Sequence, residues 1–461
     1  MDVIAAIATG GNPTAIGIVR VSGGGCFAMC DRVFHALCGK FFADLPSHKL
    51  MFGEMLDAEG RVIDRGLAVR FPGPHSYTGE DSAEFHCHGS PVVLRELLAA
   101  LFAAGARQAR AGEFTQRAFL NGRLDLTQAE AVIDLIDAET AAAARNAAAQ
   151  LDGGLRRVLE PVQDALLEIT SRFYAVVDYP DEDIEDIRPG QVAAALRHSE
   201  ESLSRLLATC QRGKVLKNGV RTAIVGRPNV GKSSLLNALV GYDRAIVTDI
   251  AGTTRDTVEE SALVRGTLLR LVDTAGIHAT ADTVEQLGVD RSRRAVQTAD
   301  LVIAVLDGVE GVTDADQEIL ELAQASPRWI VAMSKSDLLP DGFAHVLPAS
   351  QPGGKPDAWV MFSSVAPGGL RPLENAIERL FPAGSGASET GSLLTDQRQE
   401  EAARRARDAI RRAETALADG LTPDAVLTDA EEALDALGEL TGRTAKDEIV
   451  SRIFSRFCVG K

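Results

Sequence analysis

The sequence predicts a multidomain α+β and α/β protein. It has an N-terminal α+β domain, an all-α helical domain in two segments, and a P-loop α/β domain with a mostly parallel sheet inserted between those segments. Three observations predict this. Short β-like runs and one helix-like stretch, separated by Gly- and Pro-rich turns, fill residues 1–118. From 217 to 380, apolar β-like runs alternate with helical segments. Helix-period stretches flank that unit on both sides, which implies insertion; this is tolerated when the ends of the insert lie close together at an exposed loop. The expected boundaries are 1–118, 119–215, 216–380 and 381–461.

In chain order, β-like runs lie at 16–21, 66–71 and 83–86, and a helix-like stretch at 92–104. The cluster Phe71-Pro72-Gly73-Pro74 supplies a turn among them. In the helical part, Leu155, Val158, Leu159, Val162, Leu166, Ile169 and Phe173 recur at three- and four-residue steps and form one apolar stripe. Asp178, Asp181, Glu182, Asp183, Glu185 and Asp186 around Pro180 read as a solvated loop, with a cation site as the alternative. The α/β runs are 222–225, 268–272, 301–306, 329–333 and 359–362. After the loop-like 382–392, helical texture returns at 400–418, 424–437 and 446–457.

Composition narrows the function. In 461 residues, 45% are hydrophobic and 25% charged, an ordinary globular profile. Only 5% are aromatic and alanine is abundant, which favours helices packed through small side chains over an aromatic-rich sandwich. With 48 Lys+Arg against 65 Asp+Glu, the net charge is −17, which excludes a general nucleic-acid coating protein. Six cysteines are too few for a disulfide scaffold. The N-terminus lacks the basic region of a signal peptide and no apolar run is long enough to span a membrane, so a reducing, cytoplasmic setting is expected.

The strongest chemical signal is Gly226-Arg227-Pro228-Asn229-Val230-Gly231-Lys232-Ser233, a G-x-x-x-x-G-K-S loop between a β-run and a helix at 234–240. Its amides can turn inward around phosphate, Lys232 can neutralise the β- and γ-phosphates, and Ser233 can hold Mg²⁺. Asp273-Thr274-Ala275-Gly276 follows a β-run, as a Mg²⁺-linked γ-phosphate sensor requires. Ser334-Lys335-Ser336-Asp337 resembles the base-reading N-K-x-D of GTPases, with Asp337 accepting from guanine. Ser334 replaces Asn there, so an amide that normally braces the loop is lost. Ser363-Ser364 stands where a final S-A guanine motif is expected. An ATPase is the alternative, although Asp337 would read nothing on adenine. The polar loop 248–256 lies in the position of switch I, with Thr254 as second Mg²⁺ ligand. Ile277 follows D-T-A-G where small GTPases hold a water-orienting Gln, and no arginine finger is evident.

The loop G-R-P-N-x-G-K-S, T-D-I-A-G-T-T-R-D at 248–256, D-T-A-G and the terminal F-C-V-G-K together resemble the MnmE (TrmE) family of tRNA-modification GTPases. In the N-terminal part, 17–23, Phe71-Pro72-Gly73-Pro74, Gly79-Glu80-Asp81, Gly112-Glu113-Phe114, 117–121, Leu124-Asp125-Leu126 and 128–131 match as well, so the likeness covers the whole chain. It implies an N-terminal tetrahydrofolate-binding domain, a two-piece helical domain and an inserted Ras-like G domain. It also implies a homodimer that joins an FAD-dependent partner, MnmG (GidA), in a heterotetramer. Together they would place a carboxymethylaminomethyl or aminomethyl group on C5 of the wobble uridine of certain tRNAs. The one-carbon donor would be a folate, 5-formyl- or methylene-tetrahydrofolate.

The resemblance extends the GTP contacts over Asn229, Val230, Gly231, Lys232, Ser233 and Ser234, then over Thr248, Asp249, Ile250, Ala251, Gly252, Thr253 and Thr254. They continue through Asp273, Thr274, Ala275 and Gly276 to Ser334, Lys335, Asp337 and Ser363. Potassium would take the place of an arginine finger, held by Asn229, Thr248, Ile250 and Thr253, with the two G domains facing each other. Glu285 would orient the attacking water through a second water; His278 receives no role. Folate contacts carry over onto Arg20, Glu84, Arg123 and Lys461, with Arg123 standing where the family usually has Lys. A carboxylate suits the amino-pyrimidine edge of a pterin, and Arg20, Arg123 or Lys461 can serve its glutamate tail. As bare residues, Arg20 and Glu84 would read as surface charges, and Glu285 as a surface residue.

Cys26, Cys30, Cys38 and Cys87 are expected to be buried, apolar cysteines without zinc-site spacing. Cys458 stays open between a nucleophile and a packed terminus. Two rival functions remain. One is a ribosome-assembly-type GTPase switch without covalent chemistry, which should append a basic RNA-binding domain. The other is a stand-alone folate enzyme that hydrolyses GTP without a partner. The acidic balance implies that the partner supplies most of the grip on tRNA.

Overall fold

A computed structural model describes residues 2–10, 12–178, 188–242, 260–272, 293–340, 355–382, 393–444, 447–455 and 457–460. Contacts divide the chain into two compact units, one of 1–133, 150–203 and 401–461, the other of 134–149 and 204–400. The architecture has the predicted classes: an α+β N-terminal part, an all-α part and an α/β part with a mostly parallel sheet.

In the first unit, β1 (Ile4–Ile7), β2 (Thr14–Ser22), β3 (Phe34–Ala36), β4 (Met51–Leu56), β5 (Val62–Phe71), β6 (Ser82–Gly89) and β7 (Arg107–Gln108) form one sheet, in the order β3-β4-β5-β6-β2-β1-β7. All its pairs are antiparallel except β1–β7. Strand alternation separates its faces. Val19 and Val21 of β2 and Ala83, Phe85 and Cys87 of β6 enter the core. That core takes in Cys26 and Cys30 of α1 (Cys26–Cys30) and Leu94, Leu97 and Leu101 of α2 (Pro91–Ala103). Arg20, Glu84, His86 and His88 alternate onto the opposite face, where Arg20 is paired with Glu84.

Three cysteines are buried as expected, and burial pushes the Cys26 thiol up to about 12 and the Cys87 thiol to about 11. Cys38 is exposed, contrary to expectation, because α1 ends at Cys30 and Cys38 lies in the turn after β3.

The same unit holds α3 (Glu113–Leu120), α6 (Gly154–Asp178), α13 (Pro423–Thr441) and α14 (Asp447–Phe454), while α4 (Leu126–Ile136), α5 (Ala141–Leu151), α7 (Pro189–Leu207) and α12 (Gln397–Ala418) each run across a boundary of the two units. Leu155, Leu159, Val162, Leu166, Ile169 and Phe173 of the α6 stripe are buried, and α6 packs on α13. Alanines dominate the buried face of α12, which packs through small side chains as the composition implied, and share that of α13 with leucines. Of the acidic cluster, Asp178 ends α6, and Asp181, Glu182, Asp183, Glu185 and Asp186 lie outside the described residues. At the C-terminus Val459 bridges Ala111, Gly112 N–H donates to the Cys458 carbonyl, and a Cβ on Gly460 would come within 2.2 Å of the Ile7 carbonyl.

The second unit contains α8 (Cys210–Asn218) and a six-stranded sheet. Its strands are β8 (Val220–Val225), β9 (Glu260–Val264), β10 (Thr267–Val272), β11 (Leu301–Asp307), β12 (Trp329–Ser334) and β13 (Ala358–Met361), in the order β13-β12-β11-β8-β10-β9. Only β9–β10 is antiparallel. β11 is buried along its whole length, as a strand covered on both faces must be. One face packs on α9 (Lys232–Tyr242) and α11 (Arg371–Leu380), the other on α10 (Asp314–Ala323).

The first unit is pinned by a buried ionic knot. Arg117 is 4% exposed and donates to Glu80 at 2.9 Å, to Glu113 at 3.2 Å, and to the Asp2 carbonyl and carboxylate at 2.9 and 3.0 Å. Arg107 and the Arg110 amide donate to Glu113 as well. Burial alone would raise the Glu113 carboxyl, but these donors outweigh it and hold it well below the usual carboxylate range. Arg117→Ala should therefore cost about 3–5 kcal/mol, read from the thermal unfolding midpoint, because it removes the ion partner of the largely buried Glu80 together with one donor to Glu113. Since the folded pKa is depressed, this stabilisation is present above the unfolded value, about 4.3, and is lost as pH falls below it. The wild-type midpoint should drop across that acid range, and an unchanged midpoint in the variant would contradict the knot's role.

Candidate functional site

The phosphate loop leaves the central strand β8 and enters α9 at Lys232, so the positive end of an eleven-residue helix faces the loop. Gly226 and Gly231 have φ of 157° and 105°, and Asn229 stands in the left-handed region at 65°. A Cβ on Gly226 would lie 2.4 Å from the Val305 carbonyl of β11, so only glycine lets the loop pass there. The Lys232 ammonium donates to the carbonyls of Gly226 and Arg227 at 2.7 and 2.6 Å, and burial lowers its pKa. Asn229, Ser233 and Ser234 are exposed. A cation held inside a ring of backbone at a helix N-terminus is suited to bind phosphate.

Two features of this loop were not legible in the sequence. Arg227 donates to Asp316 at 2.6 Å and to Glu310 at 2.9 Å. Asp316, fully buried, also closes a capping box with Thr313 at the start of α10. Sequence spacing gives no sign of this anchor, because 89 residues separate Arg227 from Asp316. The second feature is Ser334, whose hydroxyl donates to the Val230 carbonyl of the phosphate loop at 2.6 Å. The brace expected to be lost with the missing amide is supplied by a hydroxyl.

The rest of the base-reading segment converges on the same sheet edge. Lys335 has φ 57° and donates to Asp307 at 2.5 Å. Burial would raise the Asp307 carboxyl, but Lys335 and the amides of Val309 and Glu310 hold it below the usual range. Asp337 is exposed on the following turn. The Ser336 amide donates to the Phe362 carbonyl at 3.1 Å, and the buried Ser363 hydroxyl accepts from the amides of Val365 and Ala366. The structure therefore brings Asn229, Val230, Gly231, Lys232, Ser233, Ser334, Lys335, Asp337 and Ser363 to the C-terminal edge of one parallel sheet, where such folds bind ligands.

In the N-terminal sheet, Arg20 donates from Nε to Glu84 Oε1 at 2.9 Å, and His86 Nε2 lies 3.4 Å from the other Glu84 oxygen. The Arg20 guanidinium stands 5.6 Å from the Tyr77 ring centre and 5.7 Å from that of Phe114, and the Tyr77 hydroxyl meets Thr115 at 3.0 Å. Arg20 is thus held against the Glu84 carboxylate and between two rings. Tyr77, Phe114 and His86 were missed, since nothing local in the sequence ties them to Arg20. Arg123 is exposed beside Gly79, where its Cγ would lie 3.3 Å from an added Cβ. Gly460 meets Ile7, whose neighbour Ala6 pairs with Arg20. Thr248, Asp249, Ile250, Ala251, Gly252, Thr253, Thr254, Asp273, Thr274, Ala275, Gly276, Ile277, His278, Glu285 and Lys461 lie outside the described residues.

Residues 3–123 match the family model of the GTP-binding protein TrmE N-terminus, and 126–458 match the MnmE helical domain. The chain is 42% identical to the tRNA modification GTPase MnmE of Lactobacillus delbrueckii subsp. bulgaricus, covering 100% of this chain and 98% of that protein. The MnmE proteins of Heliobacterium modesticaldum and of Roseiflexus sp. are each 42% identical over 100% of this chain and 99% of theirs. Among solved structures, an Era variant of Aquifex aeolicus bound to GDP and aluminium fluoride aligns at TM-score 0.26 and 28% identity, covering 41% of this chain and 65% of that one.

The Arg227–Asp316 anchor gives a direct test. Asp316→Ala removes a helix cap and a buried charge partner together, so the urea unfolding midpoint should fall by the equivalent of about 2–4 kcal/mol. A change below about 0.5 kcal/mol, the scale of an ordinary surface substitution, would mean that Glu310 alone anchors Arg227.

Proposed function

The chain belongs to the MnmE family of tRNA modification GTPases, and we propose the following division of labour within it. The phosphate loop grips GTP through its amides and Lys232, and Asp337 reads guanine. Ser233 and Thr254 are the Mg²⁺ ligands, and Asp273, Thr274, Ala275 and Gly276 sense the γ-phosphate. Glu285 orients the attacking water. Asn229, Thr248, Ile250 and Thr253 form a potassium site whose charge stabilises the developing negative charge of phosphoryl transfer. Two G domains face each other in a homodimer when that site closes.

Arg20, Glu84, Arg123 and Lys461 hold a tetrahydrofolate derivative, which when bound supplies the one-carbon unit. Glu84 accepts from the amino-pyrimidine edge, and Arg20 orients that carboxylate. The seat of Gly460 on Ile7, beside the strand pair of Arg20, supports placing the terminal Lys461 in the same site. Arg123 and Lys461 then remain for the glutamate tail. With an FAD-dependent MnmG partner in a heterotetramer, the cytoplasmic product is a tRNA whose wobble uridine carries a carboxymethylaminomethyl or aminomethyl group at C5. The observation that carries the reading is full-length similarity to the family combined with a phosphate loop and a base-reading loop assembled on one sheet edge.

GTP hydrolysis by the purified chain should run about tenfold or more faster in potassium than in sodium at equal ionic strength, and Asn229→Ala should abolish the difference. Equal rates in both salts would remove the potassium site from the proposal. In the N-terminal domain, Glu84→Gln should weaken 5-formyltetrahydrofolate binding by about tenfold or more in calorimetry, since a charge-assisted contact is lost. Unaltered affinity would separate Glu84 from the ligand.

A further inference from the structure

We infer that the Tyr77 ring seats the p-aminobenzoyl ring of a folate, between the pterin grip at Glu84 and the tail grip at Arg123. The inference rests on the folate reading above and deepens it by assigning the middle of the ligand. A folate carries a pterin, an aromatic benzoyl ring and a glutamate tail, in that order. A site that grips both polar ends gains further only by covering the apolar ring between them. The loop between β5 and β6 offers the surface. Ser76 and Thr78, the neighbours of Tyr77, are 6% and 1% exposed, whereas Tyr77 is 40% exposed. Both neighbours are pinned. The Ser76 hydroxyl donates to the Glu80 carbonyl, the Thr78 hydroxyl meets that of Ser22 at 2.7 Å, and the Asn121 side-chain amide donates to the Thr78 carbonyl at 2.7 Å. The Tyr77 hydroxyl meets the fully buried Thr115, and burial raises its pKa, so the open part of this side chain is ring rather than polar tip. An aromatic side chain fixed at its tip and at both neighbours has little freedom left to lose on binding.

Tyr77 also stands between the two polar ends. Its ring lies 5.6 Å from the Arg20 guanidinium, which clasps Glu84. Two residues further along the loop is Gly79, in the left-handed region at φ 77°, where a Cβ would come within 3.3 and 3.6 Å of Arg123 Cγ and Cδ. The stem of Arg123 therefore lies on bare backbone, and two residues of chain span at most about 7 Å. The tail cation is seated close beside the ring. Arg20, Arg107 and Arg117 are committed to carboxylates, whereas the exposed Arg123 guanidinium has no ion-pair partner among the described residues. A fork with a held stem and no partner suits an incoming carboxylate. Pinned ring and uncommitted fork together match the benzoylglutamate half of the ligand.

The test uses the full chain, with 5-formyltetrahydrofolate titrated by calorimetry and p-aminobenzoylglutamate as a competitor for it. Tyr77→Ala should weaken the whole ligand about tenfold and raise the competition constant of the half-ligand by a similar factor. Tyr77→Leu keeps apolar bulk without a π face and should follow alanine, which preserves the test if alanine impairs folding. Tyr77→Phe keeps the ring and should stay within about threefold of wild type. Glu84→Gln, at the pterin end, should leave the competition constant of the half-ligand within about twofold. Alanine and leucine variants that bind both probes like wild type, or a phenylalanine variant as weak as alanine, would overturn the seat. A loss confined to the whole ligand would overturn it too, because Tyr77 would then touch the pterin, as would a half-ligand that fails to compete on the wild-type chain. A wild-type chain that binds no 5-formyltetrahydrofolate would instead overturn the folate reading, and the seat with it.

Discussion

Close backbone approach at the C-terminal edge of the parallel sheet is the constraint on which the nucleotide site depends. The phosphate loop starts on β8 and the base-reading loop on β12, with β11 between them. Side chains at Gly226 or Gly308 would collide with the Val305 and Ser334 carbonyls, so bare backbone at two strand ends lets the loops meet. Once they meet, the Ser334 hydroxyl joins them, and the Arg227–Asp316 pair ties the phosphate loop to the start of α10. The fully buried β11 beneath provides a rigid floor, because a strand covered on both faces has little freedom to shift.

The N-terminal sheet solves a similar problem by alternation rather than by glycine. Val19 and Val21 of β2 and Ala83, Phe85 and Cys87 of β6 are committed to the core, which fixes the register, because a slip of one residue would bury Glu84 and expose Phe85. Register in turn sets Arg20 opposite Glu84, and the Tyr77 and Phe114 rings confine the guanidinium. An arginine committed to a carboxylate in this way orients it instead of reaching for a distant anion. This supports Arg20 as the residue that orients Glu84 in the proposed folate site, where the sequence alone left it interchangeable with Arg123 and Lys461 as a tail cation.

What was legible in the sequence follows the same physics. The runs at 222–225, 268–272, 301–306 and 329–333 were visible because a strand buried on both faces must be apolar throughout. The α6 stripe was visible because one helical face is buried and the other is not. β1, β3, β4, β7 and β9 were not recognised; β3 and β7 have three and two residues, too short to show a period. The P-loop was legible because its chemistry is local in sequence. The Ser334 hydrogen bond spans 104 residues and the Arg20–Glu84 pair 64, so no spacing rule could reveal either. Cys38 was misjudged because it lies in the turn after β3, beyond the end of α1.

Charge pairing bears on how RNA would be held. α12 is rich in arginine, and by count alone it would be a candidate phosphate-binding face. Its arginines are partnered within the same compact unit: Arg405 with Glu439, Arg411 with Glu200, and Arg412 with both Asp429 and Glu432. Surface pairs of this kind add little stability, but each cancels the field that a phosphate backbone would sense. Among the described residues, this arginine-rich helix is neutralised by its own neighbours, and a net charge of −17 works against long-range attraction to tRNA. This supports the division of labour proposed above, in which a partner surface holds the RNA.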